Sequence, residues 1–256
     1  MAGRAERAAW WRHSFDDEYY RLHAPLFPEA QSRSEVASMI ELLGLPNGAR
    51  VLDAPCGWGR HTLLLAEAGF RTFGTDLSLA LLRRARTRRK RRPLYAAADV
   101  RALPFAAGVF DAVLNVFTSL GIFHTDADDV RMLREARRVL APGGRFLLET
   151  MHRDDVVRHY ATKDRWSLPD GTRITAERTF DPVSGLSRER WVWSRGTKRG
   201  EREHVLRLRT ATEVAGLIRR AGFRDTRFFG DWDGSALSLD SPRLIALATV
   251  PGSAAR

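Results

Sequence analysis

Between residues 49 and 151 short apolar runs alternate with amphipathic stretches, and that alternation restricts the possible folds more than any other feature of the chain. Ala49 to Ala54 (ARVLDA) follows the break Pro46-Asn47-Gly48 and has the character of a strand buried on both faces. Further on, the pattern predicts a helix over Arg60 to Ala68 closed by Gly69, a strand over Phe70 to Thr75, and a helix from Ser78. Strands are then expected at Leu94 to Ala98 and Val109 to Asn115, a helix at Asp126 to Leu140, and a strand at Arg145 to Met151. The Asp126 helix has an acidic start, Val130, Leu133 and Val139 on one face, and a stop at Ala141-Pro142-Gly143-Gly144. Such alternation implies parallel βαβ units.

The flanks read differently. An aromatic N-terminal segment (Trp10, Trp11, Phe15, Tyr19, Tyr20) leads into an amphipathic helix over Ser34 to Leu45. After residue 151 the alternation stops. Thr172 to Phe180, Leu186 to Ser194 and Arg202 to Thr210 are expected as three strands of an antiparallel insertion, the first two joined through Asp181-Pro182-Val183-Ser184-Gly185. A helix over Thr212 to Arg220 and strands at Phe223 to Phe229 and Arg243 to Val250 complete the chain.

Composition excludes several classes. The chain of 256 residues is long enough for a sizeable core, and 44% hydrophobic with 29% charged residues argues against wholesale disorder. Cys56 stands alone, so an internal disulfide is ruled out, and no Cys/His spacing suggests a metal site. The longest stretch free of acidic and basic residues, Ala112 to Thr125, is too short to span a bilayer, and no secretory signal is recognisable; a cytoplasmic location is the expectation. The net charge of +11 is almost all arginine, because only Lys90, Lys163 and Lys198 are lysine. It is densest at Arg83 to Arg92.

The segment Val51-Leu52-Asp53-Ala54-Pro55-Cys56-Gly57-Trp58-Gly59-Arg60 places an acid at a strand end and two glycines at the turn into a helix, where backbone can approach a ligand closely. Strand 2 ends in Gly74-Thr75-Asp76-Leu77-Ser78, with a carboxylate placed to accept both ribose hydroxyls. Strand 3 ends in Ala98-Asp99-Val100, where a carboxylate can accept an exocyclic adenine amine with Val100 against the ring. Taken singly, Asp53 and Asp76 could be helix caps and Asp99 a turn residue. A nicotinamide dehydrogenase competes poorly, since Thr62 occupies the place of its third glycine.

As a set, these motifs resemble the class I S-adenosylmethionine-dependent methyltransferase family, closely over about residues 49 to 150. Phe110 to Asn115 matches the family's fourth strand and Pro142-Gly143-Gly144-Arg145 the turn before its fifth, while Pro55 departs from the usual first glycine. The resemblance implies an α/β, Rossmann-like, doubly wound, mostly parallel seven-stranded sheet with an antiparallel insertion after strand 5. Residues 1–48 would form a helical cap, 49–151 with 211–250 the sheet domain, and 152–210 a lid on the substrate side. It also implies S-adenosylmethionine as cofactor, held by Tyr19, Asp53, Ala54, Gly57, Gly59, Asp76, Leu77, Asp99, Val100 and Asn115, with Gln31 and Ser32 as helpers.

The expected reaction moves a methyl group to an oxygen or nitrogen of a small-molecule acceptor by in-line displacement. Histidine is the usual proton acceptor at neutral pH. His152, which leaves strand 5 directly, is the first candidate, His124 the second and His204 a third. Phe117, Tyr160, Trp166, Trp191 and Trp193 are expected to line the acceptor pocket, although Trp191 and Trp193 could equally share a face that packs on the parent sheet. Two other readings remain: an RNA methyltransferase that uses the Arg83–Arg92 run, and a non-catalytic S-adenosylmethionine-binding protein. No basic patch interleaved with aromatics accompanies the run, which favours the small-molecule acceptor.

Overall fold

The computed structural model describes residues 9–87 and 93–252. Seven strands form one sheet in the order β10-β11-β5-β4-β1-β2-β3. They are β1 (Arg50–Asp53), β2 (Arg71–Asp76), β3 (Leu94–Ala97), β4 (Phe110–Asn115), β5 (Leu140–Met151), β10 (Arg224–Phe229) and β11 (Arg243–Thr249). Strands β1 to β5 pair in parallel and β11 runs antiparallel to both β5 and β10. The order reverses direction at β1 and β4, the point at which open α/β sheets form a ligand crevice beyond their carboxyl ends.

Both faces are covered, and the strands divide between two cores by alternation. Leu52, Val113, Phe146, Leu148, Leu244 and Ala246 face one core, where they meet Val130 and Leu133 of α6 (Asp126–Val139) and Val214 and Leu217 of α8 (Ala211–Arg220). Val51, Ala112, Leu114, Leu147, Ile245 and Leu247 face the other, against Val36, Met39 and Leu43 of α3 (Glu29–Leu43) and Leu64 and Leu65 of α4 (Arg60–Glu67). This two-sided burial explains why the strands read as continuous apolar runs.

Three boundaries differ from expectation. Helix α3 starts at Glu29, five residues before Ser34, behind the extended Pro28, and ends at Gly44 in the left-handed conformation. Strand β5 starts at Leu140, because Leu140 pairs with Phe110 before the register shifts at the Gly143-Gly144 turn. Thr210, expected to end a strand, instead caps α8 through a reciprocal bond with Glu213.

The insertion is a four-stranded antiparallel sheet in the order β6-β7-β8-β9: β6 (Lys163–Ser167), β7 (Arg173–Asp181), β8 (Leu186–Arg195) and β9 (Lys198–Arg207). Strand β6 escapes a periodicity reading because Trp166 is its one apolar residue. The short α1 (Trp11–Ser14) and α2 (Asp17–His23) lie between the two sheets. Arg202 of β9 clamps them by bonding the Ser14 carbonyl oxygen and the Asp16 carboxylate, the latter at 2.7 Å. Helix α5 (Leu79–Thr87) follows β2, and α7 (Arg153–Arg158) follows β5. No helix among the described residues is long and apolar enough to cross a membrane.

Candidate active site

The loop after β1 is shaped by its neighbours across the sheet. The Ala54 N–H donates to the Leu114 carbonyl oxygen and the Cys56 N–H to that of Thr75, which ties the loop to β4 and β2. Asn115 Nδ2 donates to the Ala54 carbonyl oxygen at 2.8 Å, so Asn115 buttresses the loop from behind. The Ala54–Pro55 peptide is cis. Gly57 and Gly59 both have positive φ, for different reasons. A Cβ at Gly57 would meet nothing within 4 Å, leaving its surroundings open, whereas one at Gly59 would lie 2.6 Å from the Tyr95 hydroxyl oxygen. Gly57 leaves room for a ligand and Gly59 lets the loop pack on β3.

The loop opens on a cavity of about 350 Å³ that receives Asp53, Asp76 and Asp99 from the ends of three adjacent strands. Asp53 Oδ2 accepts from Thr62 Oγ1 at 2.6 Å, while its buried Oδ1 has no partner among the described residues. Burial pushes the Asp53 carboxyl up to about 7, against the pull of the Thr62 hydroxyl and Arg60. Asp76 accepts from the Gly57 N–H through Oδ2 and from the Ser78 N–H through Oδ1, each at 2.8 Å; burial still raises it above the ordinary carboxylate range. Asp99 behaves oppositely. Its partial burial is outweighed by Arg101, whose Nη2 lies at 2.7 Å, and the group is held below the ordinary range. A carboxylate has about four acceptor positions, so Asp76 keeps capacity for a ligand, whereas Arg101 engages both oxygens of Asp99 through its N–H, Nε and Nη2.

Of the residues expected at the cofactor, Tyr19, Asp53, Gly57, Asp76, Leu77, Asp99 and Val100 line this cavity. Ala54, Gly59 and Asn115 lie behind it as support, and Gln31 and Ser32 sit on α3, bonded toward Glu35 and Arg60. Tyr19 is buried against Trp58 and Phe15. Burial, reinforced by Asp76, raises its phenol, which stays protonated and able to donate.

The opposite wall is aromatic. Phe117 and Trp191 line it, together with Trp10, Phe27, His23 and His204. Three other expected residues are elsewhere. Trp166 and Trp193 lie in the interior of the insertion sheet around Ile174 and Ala176, Trp193 beneath the Arg21 guanidinium at 4.6 Å, and Tyr160 sits beside Phe180. The strand alternation that puts Trp191 and Trp193 on one face also spreads them along it, so that Trp191 alone reaches the cavity.

The leading histidine candidate is not among the residues that line the cavity. His152 is buried with its Nδ1–H donating to the Ser241 carbonyl oxygen at 2.8 Å, which turns the ring toward the loop before β11 and away from the cavity. His124 is likewise outside the lining, with Nε2 at 3.0 Å from the Val205 carbonyl oxygen. The cavity is instead faced by His23, His61 and His204. His23 stacks on Trp191 at 4.4 Å and on Tyr19 at 3.9 Å, and His61 bonds the Glu35 carboxylate at 2.9 Å. Burial lowers all three, His23 to about 3 and His61 and His204 to about 4, so each ring is neutral at pH 7.

Arg60 also faces the cavity, between the rings of Phe27 and Phe117 at 5.0 and 5.3 Å, and pairs with Glu35. Despite burial, His61 and Arg60 hold the Glu35 carboxyl down at about 2. A parallel network runs from Arg243 to Glu149, which accepts from the Phe117 N–H at 2.6 Å. These partners are 25 or more residues apart, and no local pattern announces them.

In the basic run, Arg84 pairs with Asp17 at 3.0 Å and Arg86 donates to the Tyr95 carbonyl oxygen; Arg88 to Arg92 lie outside the described residues. Among the described residues no group of three His, Cys, Asp or Glu side chains could hold a metal ion.

Comparison with known proteins agrees with the geometry. A family model described as a methyltransferase domain matches residues 52–148. The malonyl-[acyl-carrier protein] O-methyltransferase of Pseudescherichia vulneris is 30% identical over 189 residues, which cover 73% of this chain and 70% of that protein. In fold, the CcbJ methyltransferase from Streptomyces caelestis matches with a TM-score of 0.79 at 17% identity, over 94% of this chain and 99% of that one. The SAM-bound CalS10, an amino pentose methyltransferase from Micromonospora echinaspora, matches with a TM-score of 0.64 at 23% identity, over 97% and 98%. The chain belongs to the class I S-adenosylmethionine-dependent methyltransferases, with S-adenosylmethionine as its cofactor.

Proposed function

We propose that the enzyme methylates a small, uncharged molecule by in-line displacement, within a cavity whose floor holds the donor and whose aromatic roof holds the acceptor. The observation that carries this reading is the continuity of that cavity. Asp53, Asp76 and Asp99 stand on one side, and Trp191 and His204 of the insertion on the other. The donor fits this floor: Gly57 leaves open space, Asp53 Oδ1 lacks a partner among the described residues, and Asp76 offers a free acceptor position. Asp76 would hold the ribose, Asp99 and Val100 the adenine, and Asp53, Tyr19 and Gly57 the amino-acid end. When bound, the donor supplies a methyl group on a positively charged sulfur that departs as the new bond forms.

The chain is read as a helical cap over residues 1–48, a donor-binding domain over 49–151 and 211–250, and a lid over 152–210. The cap and lid exclude water from the reacting atoms and hold the acceptor in line, a positioning effect that alone can supply a large part of the rate enhancement. The test is transfer of labelled methyl from S-adenosylmethionine to a panel of small metabolites, with bulk RNA as a parallel acceptor. Label should appear in small molecules and not in RNA. Labelling of RNA alone would reverse the acceptor assignment.

A further inference from the structure

We propose that His204 is the catalytic residue that takes the acceptor's proton, and that the acceptor is a neutral planar hydroxyl compound, a phenol or enol. This rests on the methyltransferase reading above. His204 projects from β9 into the cavity, opposite Glu189 of β8 in the strand register. Its ring sits edge-on to Trp191 at 5.6 Å, Tyr19 at 6.0 Å and Trp10 at 5.7 Å. Its Nε2 is buried and has no partner among the described residues. An unpaired ring nitrogen in such surroundings costs stability, and a ligand hydroxyl would satisfy it.

The charges around His204 settle what kind of acceptor the wall suits. Arg202, on the same strand, is paired with Asp16 and Glu18. Glu189 accepts from Arg178 Nε at 2.6 Å. From α2, Tyr19 is protonated and His23 is neutral with its Nδ1–H committed to the Tyr19 carbonyl oxygen. Across the cavity Arg60 is bound to Glu35. Among the described residues, an ammonium acceptor would find no free carboxylate on this wall and a carboxylate acceptor no free cation. A neutral ring bearing a hydroxyl meets flat aromatic faces and one unsatisfied proton acceptor.

His204 is neutral across the physiological range, since burial and then Arg202 lower it to about 4. A weak base suffices here. As the hydroxyl oxygen forms its bond to the methyl carbon, the C–S bonding pair leaves with sulfur as a neutral thioether. The hydroxyl proton becomes strongly acidic at that moment and passes to Nε2, then to solvent on product release.

The test uses protein saturated with S-adenosylhomocysteine and compares binding of 4-nitrophenol with that of 4-nitroanisole, at a pH where the phenol is neutral. The parent should favour the phenol about tenfold, the scale of one buried hydrogen bond. His204→Ala should abolish the preference with S-adenosylhomocysteine affinity intact. His204→Gln keeps a carbonyl that accepts a hydrogen bond but cannot take the proton; it should retain the preference and lose methyl transfer to phenols by about 100-fold or more. Equal affinity of the parent for both probes, a preference that survives His204→Ala, or full transfer by His204→Gln would overturn the proposal. Failure of the parent to bind S-adenosylhomocysteine would instead defeat the methyltransferase reading beneath it.

Discussion

The Gly57 N–H donates to Asp76 Oδ2 at 2.8 Å, so the carboxylate that ends the second strand also fixes the loop that follows the first. Two parts of the proposed donor site that are 19 residues apart are thereby set by one hydrogen bond. Their arrangement exists before any ligand arrives, which reduces the ordering cost of binding.

Asp76→Ala removes this bond, the one to the Ser78 N–H and the proposed contacts to the ribose hydroxyls. Donor affinity should fall by more than about 1.5 kcal/mol, over tenfold in Kd, with the fold retained. Calorimetry with circular dichroism as a control measures it. An unchanged Kd would reduce Asp76 to a turn residue.

Asp53 makes stability depend on pH in the donor-free protein. Its folded value of about 7 lies above the ordinary carboxylate value of about 4 in the unfolded chain, so between these pH values the folded state holds a proton that the unfolded state has released. This contribution to stability is fully present below about pH 4 and is lost as pH rises through 7. Asp53→Asn should therefore gain stability relative to the parent on moving from pH 5 to 7.5, as read from urea midpoints. A constant difference between the two proteins would show that Asp53 does not titrate in this window.

The three buried histidines contribute with the opposite slope. Each folded value lies below the ordinary 6.5, so their contribution is present above that pH and is lost as pH falls toward 4. His23→Phe keeps the stack on Trp191 and removes one protonation; its acid unfolding between pH 6.5 and 4 should be shallower than the parent's. Superimposable acid limbs would contradict the assignment.

Legibility in the sequence divides along the distance between partners. The three acids were readable because each stands at the end of an apolar run and beside its own loop, so local order brings them to one cavity. His23 is not, and His204 ranks only third among the histidines, because whether they reach the cavity depends on where α2 and the insertion sheet settle on the body. His152 shows the converse: departure from a strand end implied the crevice, but a hydrogen bond to Ser241, 89 residues away, turns the ring aside. Helix α7 and strand β6, with few apolar residues, gave no periodic signal.

The Arg60–Glu35 pair is buried and therefore asymmetric in its energetics. Arg60→Met removes the nearest cation from Glu35, which keeps His61, Gln31 and Arg243 at 3.9 Å, and should cost about 3 kcal/mol, whereas the double variant Arg60→Met/Glu35→Leu should recover much of the loss. Urea unfolding of the two variants tests this. A double variant no more stable than the single one would mean that the pair contributes through packing rather than charge.

Neutralising Arg88, Arg89, Arg91 and Arg92 together should leave methyl transfer to small molecules almost unchanged. A steep loss of activity, or a salt-sensitive RNA affinity that vanishes in the variant, would favour a nucleic-acid acceptor.

Calorimetric titration of the unmodified protein with S-adenosylmethionine, S-adenosylhomocysteine and NAD bears most directly on the donor site proposed at Asp53, Gly57, Asp76 and Asp99. Both sulfur ligands should bind at one site per chain and NAD should not. Folded protein that ignores both sulfur ligands, or that takes NAD in preference, would contradict the assignment.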